Sequence, residues 1–128
     1  MQPIISYTSQ KDHYKADACI AWCFDDRFSG AYEAFIKHRG YGIIDLVKIA
    51  GGAKEIDFVI DQIGKSIKLH HAPKVVLMVH NECGAYGGST DPAFYEAELT
   101  RAADTVRASF PGVEVEAIFA DFDGLKLV

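Results

Sequence analysis

Two short, almost entirely apolar runs set the narrowest limit on the fold. Residues Ala18–Cys23 and Lys74–His80 each have the length of one strand, and their interiors lack the polar–apolar alternation of a strand with one solvated face. Strands that are apolar on both faces occur mainly in parallel sheets covered by helices on both sides. The two runs therefore favour an α/β fold.

Amphipathic segments follow the strands. In the segment from about Ala53 to His70, apolar residues recur at i, i+3, i+4, i+7 and i+11, which places them on one helical face. A second helix is predicted from Ser29, as its N-cap, to near Gly40. A third is predicted to start at Asp91-Pro92 and to stop at Pro111-Gly112. Its apolar face, assigned to packing, consists of Tyr95, Leu99, Ala102, Ala103, Val106 and Phe110.

Two further strands are predicted at residues 43–52 and 113–122, and residues 123–128 are typical of a turn followed by a short last strand. Strands that alternate with helices imply a parallel sheet with right-handed crossovers. We therefore predict a single α/β domain over residues 1–128. Its sheet should be four-stranded and mainly parallel, flanked by helices, with a short C-terminal strand.

The charge balance excludes several classes of partner. A net charge of −5 over 128 residues, without a basic patch, argues against binding to nucleic acid or to an anionic membrane surface.

No apolar run approaches the roughly 20 residues of a membrane span. Three cysteines, an odd number, fit a reducing compartment better than a disulfide framework. We expect a cytoplasmic protein.

Chemically active side chains stand at the ends of the two buried strands. Cys23 ends the first, and His80 and Cys83 follow the other in the sequence HNECG. Since parallel strands end at one edge of a sheet, we expect these residues to meet there. Two thiolates and one imidazole suit zinc, with a fourth position open. Asp25 lies two positions after Cys23, close enough to be the fourth ligand or to bind a water there, and Arg27 is a natural bidentate partner for Asp25.

These residues also carry a family resemblance. The stretch Cys23-Phe24-Asp25-Asp26-Arg27 resembles the C-x-D-x-R motif of beta-class carbonic anhydrases, and His80-Asn81-Glu82-Cys83-Gly84 resembles their H-x-x-C-G motif. The likeness extends from about Ala18 to Leu127. Three positions differ from the usual family pattern: Asp26 replaces a serine, and Lys48-Ile49 replaces an Arg-Asn pair.

The resemblance implies one zinc ion per chain, held by Cys23, His80 and Cys83, with Asp25 and Arg27 as a catalytic dyad. It implies reversible hydration of carbon dioxide to bicarbonate through a zinc-bound hydroxide, and a homodimer or higher homo-oligomer. In a closed form, Asp25 would become the fourth zinc ligand. Arg27 would otherwise hold the Asp25 carboxylate away from the metal and favour its charged form.

Three alternatives stay open from the sequence. The same zinc could hydrolyse carbonyl sulfide or carbon disulfide. The protein could hold zinc without catalysis and bind a partner or a small anion. Finally, Cys83 could be a nucleophile with His80 as its base.

Other notable side chains are expected to be structural. Cys19, Trp22, Phe24 and Phe28 are assigned to packing, and Asp26 to a solvated or salt-bridged position. The remaining histidines are expected at the surface: His13, His38, His70 and His71.

Overall fold

The computed structural model describes residues 1–128. Five β-strands alternate with three α-helices, and two short 3-10 turns lie at Asp26–Phe28 and Gly84–Tyr86. The strands are β1 (Ala18–Cys23), β2 (Ile44–Ile49), β3 (Lys74–His80), β4 (Glu114–Asp121) and β5 (Gly124–Leu127). The α-helices are α1 (Ser29–Arg39), α2 (Ile56–His70) and α3 (Pro92–Ser109).

The strands form one sheet in the order β2-β1-β3-β4-β5. The first four are parallel and β5 is antiparallel to β4, as predicted for the short last strand. Strand β1 is buried at every residue, and β3 at every residue after Lys74. Their adjacency brings the C-terminal ends of both strands, Cys23 and His80, to the same edge of the sheet.

One of the three helices starts where it was predicted, and the other two do not. Helix α3 starts at Pro92 as predicted, with the Asp91 carboxylate accepting a hydrogen bond from the Ala93 amide at 3.0 Å. The predicted N-cap at Ser29 is wrong. Ser29 is the first residue of α1, and the preceding 3-10 turn is capped instead by Asp25, whose carboxylate accepts from the Arg27 amide. Helix α2 starts at Ile56, later than predicted, because residues 50–55 form turns.

The core lies on both faces of β1 and β3. Cys19, Trp22 and Phe28 are buried as expected, and α3 buries five residues of its predicted apolar face: Tyr95, Leu99, Ala102, Ala103 and Val106. The sixth, Phe110, lies just after the last residue of α3 and is only partly buried. Phe24 was expected in the core and is instead 61% exposed, because it follows the end of β1. No helix combines the length and the apolarity that are needed to cross a membrane.

His70 also departs from the simple surface expectation. Its Nδ1 lies 2.7 Å from the Asp45 carboxylate, and its ring packs against Tyr14 at a centroid distance of 3.9 Å. Tyr14 and Ser66 donate to the same carboxylate at 2.7 Å each. Asp45 of β2 therefore connects the segment before β1 to the end of α2.

The loop after β2 approaches the ends of β1 and β3 through its backbone. Gly52 has a φ of 61°, in the left-handed region. A Cβ atom at Gly52 would lie 2.0 Å from the carbonyl oxygen of Met78 and 3.2 Å from the backbone nitrogen of Cys23. The Ala53 amide donates to that same carbonyl at 3.0 Å. Only glycine permits this approach.

We predict that Gly52→Ala lowers the free energy of unfolding by about 2 kcal/mol or more, because it combines a steric clash with a strained φ. Urea unfolding followed by circular dichroism measures the change. Gly30→Ala is the matched control, since a Cβ at Gly30 in α1 meets no atom within 4 Å. That variant should be as stable as the wild type or more so by up to about 1 kcal/mol. Equal stabilities for the two variants would contradict the prediction.

Candidate metal centre

Three buried donor side chains converge where β1 and β3 end. Atoms from Cys23, His80 and Cys83 that can bind a metal all lie within 4.8 Å of one another. Cys23 and His80 are the last residues of their strands, and Cys83 lies just before the 3-10 turn that begins at Gly84. The structure thus brings together the three residues that the sequence predicts as metal ligands.

His80 is fixed with one ring nitrogen directed at this cluster. Its Nδ1 lies 2.7 Å from the carbonyl oxygen of Asn81, an acceptor that requires the proton on Nδ1. The Phe28 ring stacks on the imidazole at a centroid distance of 4.3 Å. Nε2 then carries the lone pair, and it is buried without a hydrogen-bond partner. Ordered histidine ligands of metals have this arrangement.

Cys83 is held through its backbone. Its amide donates to the hydroxyl oxygen of Tyr95 at 3.2 Å, and that hydroxyl donates to the carbonyl of Ser89 at 2.8 Å. The Cys83 carbonyl accepts from the amides of Tyr86 and Gly88. Tyr95 is fully buried in α3, so the helix core and the Cys83 loop are connected by one hydroxyl group.

The two thiols have different proton affinities. Burial raises the pKa of Cys23, but His80 in its protonated form and the amides of Asp25 and Gly51 outweigh burial and bring this pKa down to about 7. Burial raises the pKa of Cys83, and the neighbouring Cys23 raises it again. The protein alone therefore favours one thiolate in this space. A second thiolate requires a cation between the two sulfurs.

The donor set fits a metal ion such as zinc. Thiolate and imidazole are the ligands that zinc prefers. Catalytic zinc sites with three protein ligands leave a fourth position for an oxygen ligand. A cation would also give the buried, unpartnered Nε2 atom of His80 its missing partner. The donor types and the unpartnered Nε2 atom of His80 together indicate a potential metal site.

The Asp25 carboxylate lies beside this site and is tied to Arg27. Arg27 Nε donates to both carboxylate oxygens at 3.1 Å, and Nη2 donates to Oδ2 at 2.7 Å. The Arg27 guanidinium holds the pKa of Asp25 down to about 2. Asp25 Oδ2 is also only 3.7 Å from His80 Nε2. The carboxylate is thus charged, oriented and within reach of whatever occupies the cluster.

The loop after β2 contributes backbone groups beside the end of β1. The carbonyl of Ile49 accepts from the amides of Phe24 and Gly52. Lys48 points elsewhere, since its Nζ lies 3.3 Å from Ser29 Oγ, and Ser29 in turn donates to the Asp26 carboxylate at 3.2 Å. Asp26 and Lys48, two of the three positions that differ from the usual family pattern, are therefore connected through Ser29.

Sequence reasoning missed several residues that surround the donors. Phe28 and Tyr95 were assigned to packing alone, and no role was given to Asn81, Glu82 or Phe122. The Phe122 ring lies 5.3 Å from the Arg27 guanidinium carbon and 5.4 Å from the Phe28 ring. For Tyr95 a signal existed, because a buried tyrosine usually finds a partner for its hydroxyl. For the others, the contacts join distant segments.

No protein-family profile and no curated protein matches this chain. Solved structures do match it. A carbonic anhydrase from Streptococcus mutans superposes with a TM-score of 0.72 at 16% identity, over 95% of this chain and 87% of that chain. The beta-carbonic anhydrase isoform I from Trichomonas vaginalis gives 0.60 at 13% identity, over 95% and 87%. One of two tetrameric beta-carbonic anhydrases from Sordaria macrospora superposes with a TM-score of 0.57 at 15% identity, over 90% of this chain and 81% of that chain.

The chain has a beta-carbonic-anhydrase-like fold. The matches extend over nine-tenths or more of the chain, so the likeness covers both strand ends that carry the potential metal site. The fold predicted from the C-x-D-x-R and H-x-x-C-G motifs is confirmed. At 13–16% identity the likeness is one of fold.

Proposed function

We propose that this protein catalyses the reversible hydration of carbon dioxide to bicarbonate, with one zinc ion per chain held by Cys23, His80 and Cys83. The observation that carries the proposal is the meeting of these three donors, within 4.8 Å, with an arginine-bound carboxylate. A bound zinc ion would supply Lewis acidity, which lowers the pKa of water toward neutrality.

The remaining chemistry comes from Asp25 and Arg27. Asp25 accepts a hydrogen bond from the attacking water and thereby aims the oxygen lone pair at the carbon of carbon dioxide. Arg27 keeps Asp25 ionised and holds it in one orientation through the three side-chain hydrogen bonds. The side chains of Arg27 and Asp25 are 49% and 22% exposed, so a small substrate from solvent can reach the dyad.

The three alternative functions differ in what they require of these residues. Cys83 is a poor candidate for a nucleophile, since its pKa is raised and its side chain is buried. Hydrolysis of carbonyl sulfide or carbon disulfide would use the same donors, so a parallel assay with each substrate separates it from hydration. A zinc protein without catalysis would bind the metal and fail in all these assays.

We also propose a cytoplasmic homo-oligomer. All three cysteines are free thiols, which suits a reducing compartment. The outer edge of β2 is unpaired, and Leu46 on that strand and Leu69 on α2 are exposed in the same groove. An exposed strand edge with apolar neighbours is typically covered by another chain.

For assembly, we predict at least a dimer at micromolar concentration, because pairing would cover this edge and its apolar side chains. Light scattering after size-exclusion chromatography measures the molar mass directly. A monomeric mass at that concentration would contradict the proposal of an oligomer.

For the metal, we predict about one zinc per chain in protein purified without chelator, since the three donors form one site. Cys83→Ser should lose most of the zinc because a hydroxyl is a much weaker ligand than a thiolate. Elemental analysis of the purified proteins measures both. Cys19→Ala is the matched control: it removes another buried thiol from β1 and should keep its zinc. Metal-free wild type with full hydration activity would refute the proposal.

For the dyad, we predict that Arg27→Ala and Asp25→Ala each keep zinc and lose hydration activity by about 10²- to 10³-fold. In the first variant the freed carboxylate occupies the position of the attacking water. In the second the water is no longer aimed. Stopped-flow hydration with a pH indicator measures the loss.

Arg107→Ala is the control for the arginine variant, because Arg107 pairs with Asp104 on the exposed surface of α3. It should hydrate carbon dioxide at the wild-type rate. If both dyad variants also do so, the ion pair after Cys23 has only a structural role.

A further inference from the structure

Glu82 lies in the sequence between the candidate metal ligands His80 and Cys83, and its backbone conformation is unusual. Its φ is 54°, in the left-handed region where glycine is favoured and a residue with a long side chain is strained. Its amide donates to the Asn81 side-chain oxygen at 2.9 Å and to the Ser89 carbonyl at 3.0 Å. Asn81 is itself anchored to Asp121 at the end of β4, at 3.1 Å. Neighbouring elements therefore hold the conformation of Glu82 in place.

This conformation aims both acceptor groups of Glu82 at Arg27. The Glu82 carbonyl accepts from Arg27 Nη2 at 3.3 Å, and its carboxylate oxygen Oε2 lies 3.6 Å from Nη1. Phe122 packs on the guanidinium group, with its ring centroid 5.3 Å from the guanidinium carbon. Arg27 is thus bound by Asp25 on one side and by Glu82 on another.

We propose that Glu82 is a positioning residue that competes with Asp25 for Arg27, and so sets how readily Asp25 can leave Arg27 for the metal centre. The inference rests on the proposed metal centre and goes beyond the Asp25–Arg27 dyad. It explains why an acidic residue occupies a position where glycine would fit without strain.

Glu82 acts on Arg27 through its charge. Asp25 Oδ2 is 3.7 Å from His80 Nε2, so a small rotation brings the carboxylate to the metal centre. That rotation breaks the hydrogen bonds with Arg27 and would leave the guanidinium without an anionic partner. Glu82 supplies that partner. Because the side chains of Arg27 and Glu82 are about half exposed, at 49% and 48%, the effect is modest, about two- to fivefold in the equilibrium.

The first test measures anion affinity in the cobalt(II)-substituted protein, titrated with azide and followed by visible absorption. Azide needs the open position, so its apparent affinity scales with the fraction of protein in which Asp25 remains on Arg27. Glu82→Gln should tighten azide binding about two- to fivefold, because Arg27 then holds Asp25 more firmly. Glu82→Gly should act in the same direction, and it relieves the backbone strain, so its fold is not at risk.

A double-mutant comparison separates competition from the simple loss of a negative charge. In an Asp25→Ala background no carboxylate can occupy the open position, so Glu82→Gln should have a clearly smaller effect on azide affinity. Glu114→Gln is the matched control: it neutralises an exposed carboxylate that pairs with Lys74, and it should change nothing. An equal effect of Glu82→Gln in both backgrounds, or no effect in the wild type, overturns the proposal.

The second test needs no metal. In metal-free protein, NMR measures how fast the Arg27 side-chain N–H protons exchange with water. Asp25→Ala should retain slow exchange because Arg27 moves to Glu82, and adding Glu82→Gln should abolish it. Fast exchange already in Asp25→Ala overturns the proposal. Neither test requires turnover, so a protein that binds metal but does not hydrate carbon dioxide would refute only the proposed function.

Discussion

The position of β1 between β2 and β3 is the constraint on which the site depends. Because β1 is buried along its whole length, its register with both neighbours is fixed by packing on its two faces. Its last residue, Cys23, therefore ends beside His80 at the edge where parallel strands present their C-terminal ends. The Gly52 backbone closes over the same edge, at a distance that no side chain would allow.

Charge balance around this edge follows from burial. Burial opposes two thiolates, and the raised pKa of Cys83 records that cost. Asp25 adds a third acidic group close by, yet it is charged because Arg27 compensates it locally. Arg27 is the cation that the chain itself supplies beside this carboxylate. Under the proposed function, a metal ion held by Cys23, His80 and Cys83 would be a second cation within reach of Asp25.

Much of the fold was predictable because its signals are local. The apolar runs gave the exact bounds of β1 and β3, and Asp91-Pro92 located the start of α3. Two errors lie just after β1, where the chain leaves the sheet. Ser29 is a good N-cap residue, but Asp25 caps a 3-10 turn directly before it, so Ser29 lies inside the helix as its first residue. Phe24 is apolar, but the strand ends before it and leaves it at the surface.

The sequence by itself determined the order of elements and the three donors, since strand ends and the spacing of Cys23, His80 and Cys83 can be recognised without coordinates. Only the tertiary structure decided what surrounds those donors. Glu82 meets Arg27 from 55 positions away, and Asn81 meets Asp121 from 40 positions away. Such contacts depend on which strands become neighbours and on backbone torsions such as the positive φ of Glu82. No local pattern encodes them, because their free energy comes from groups that only folding brings together.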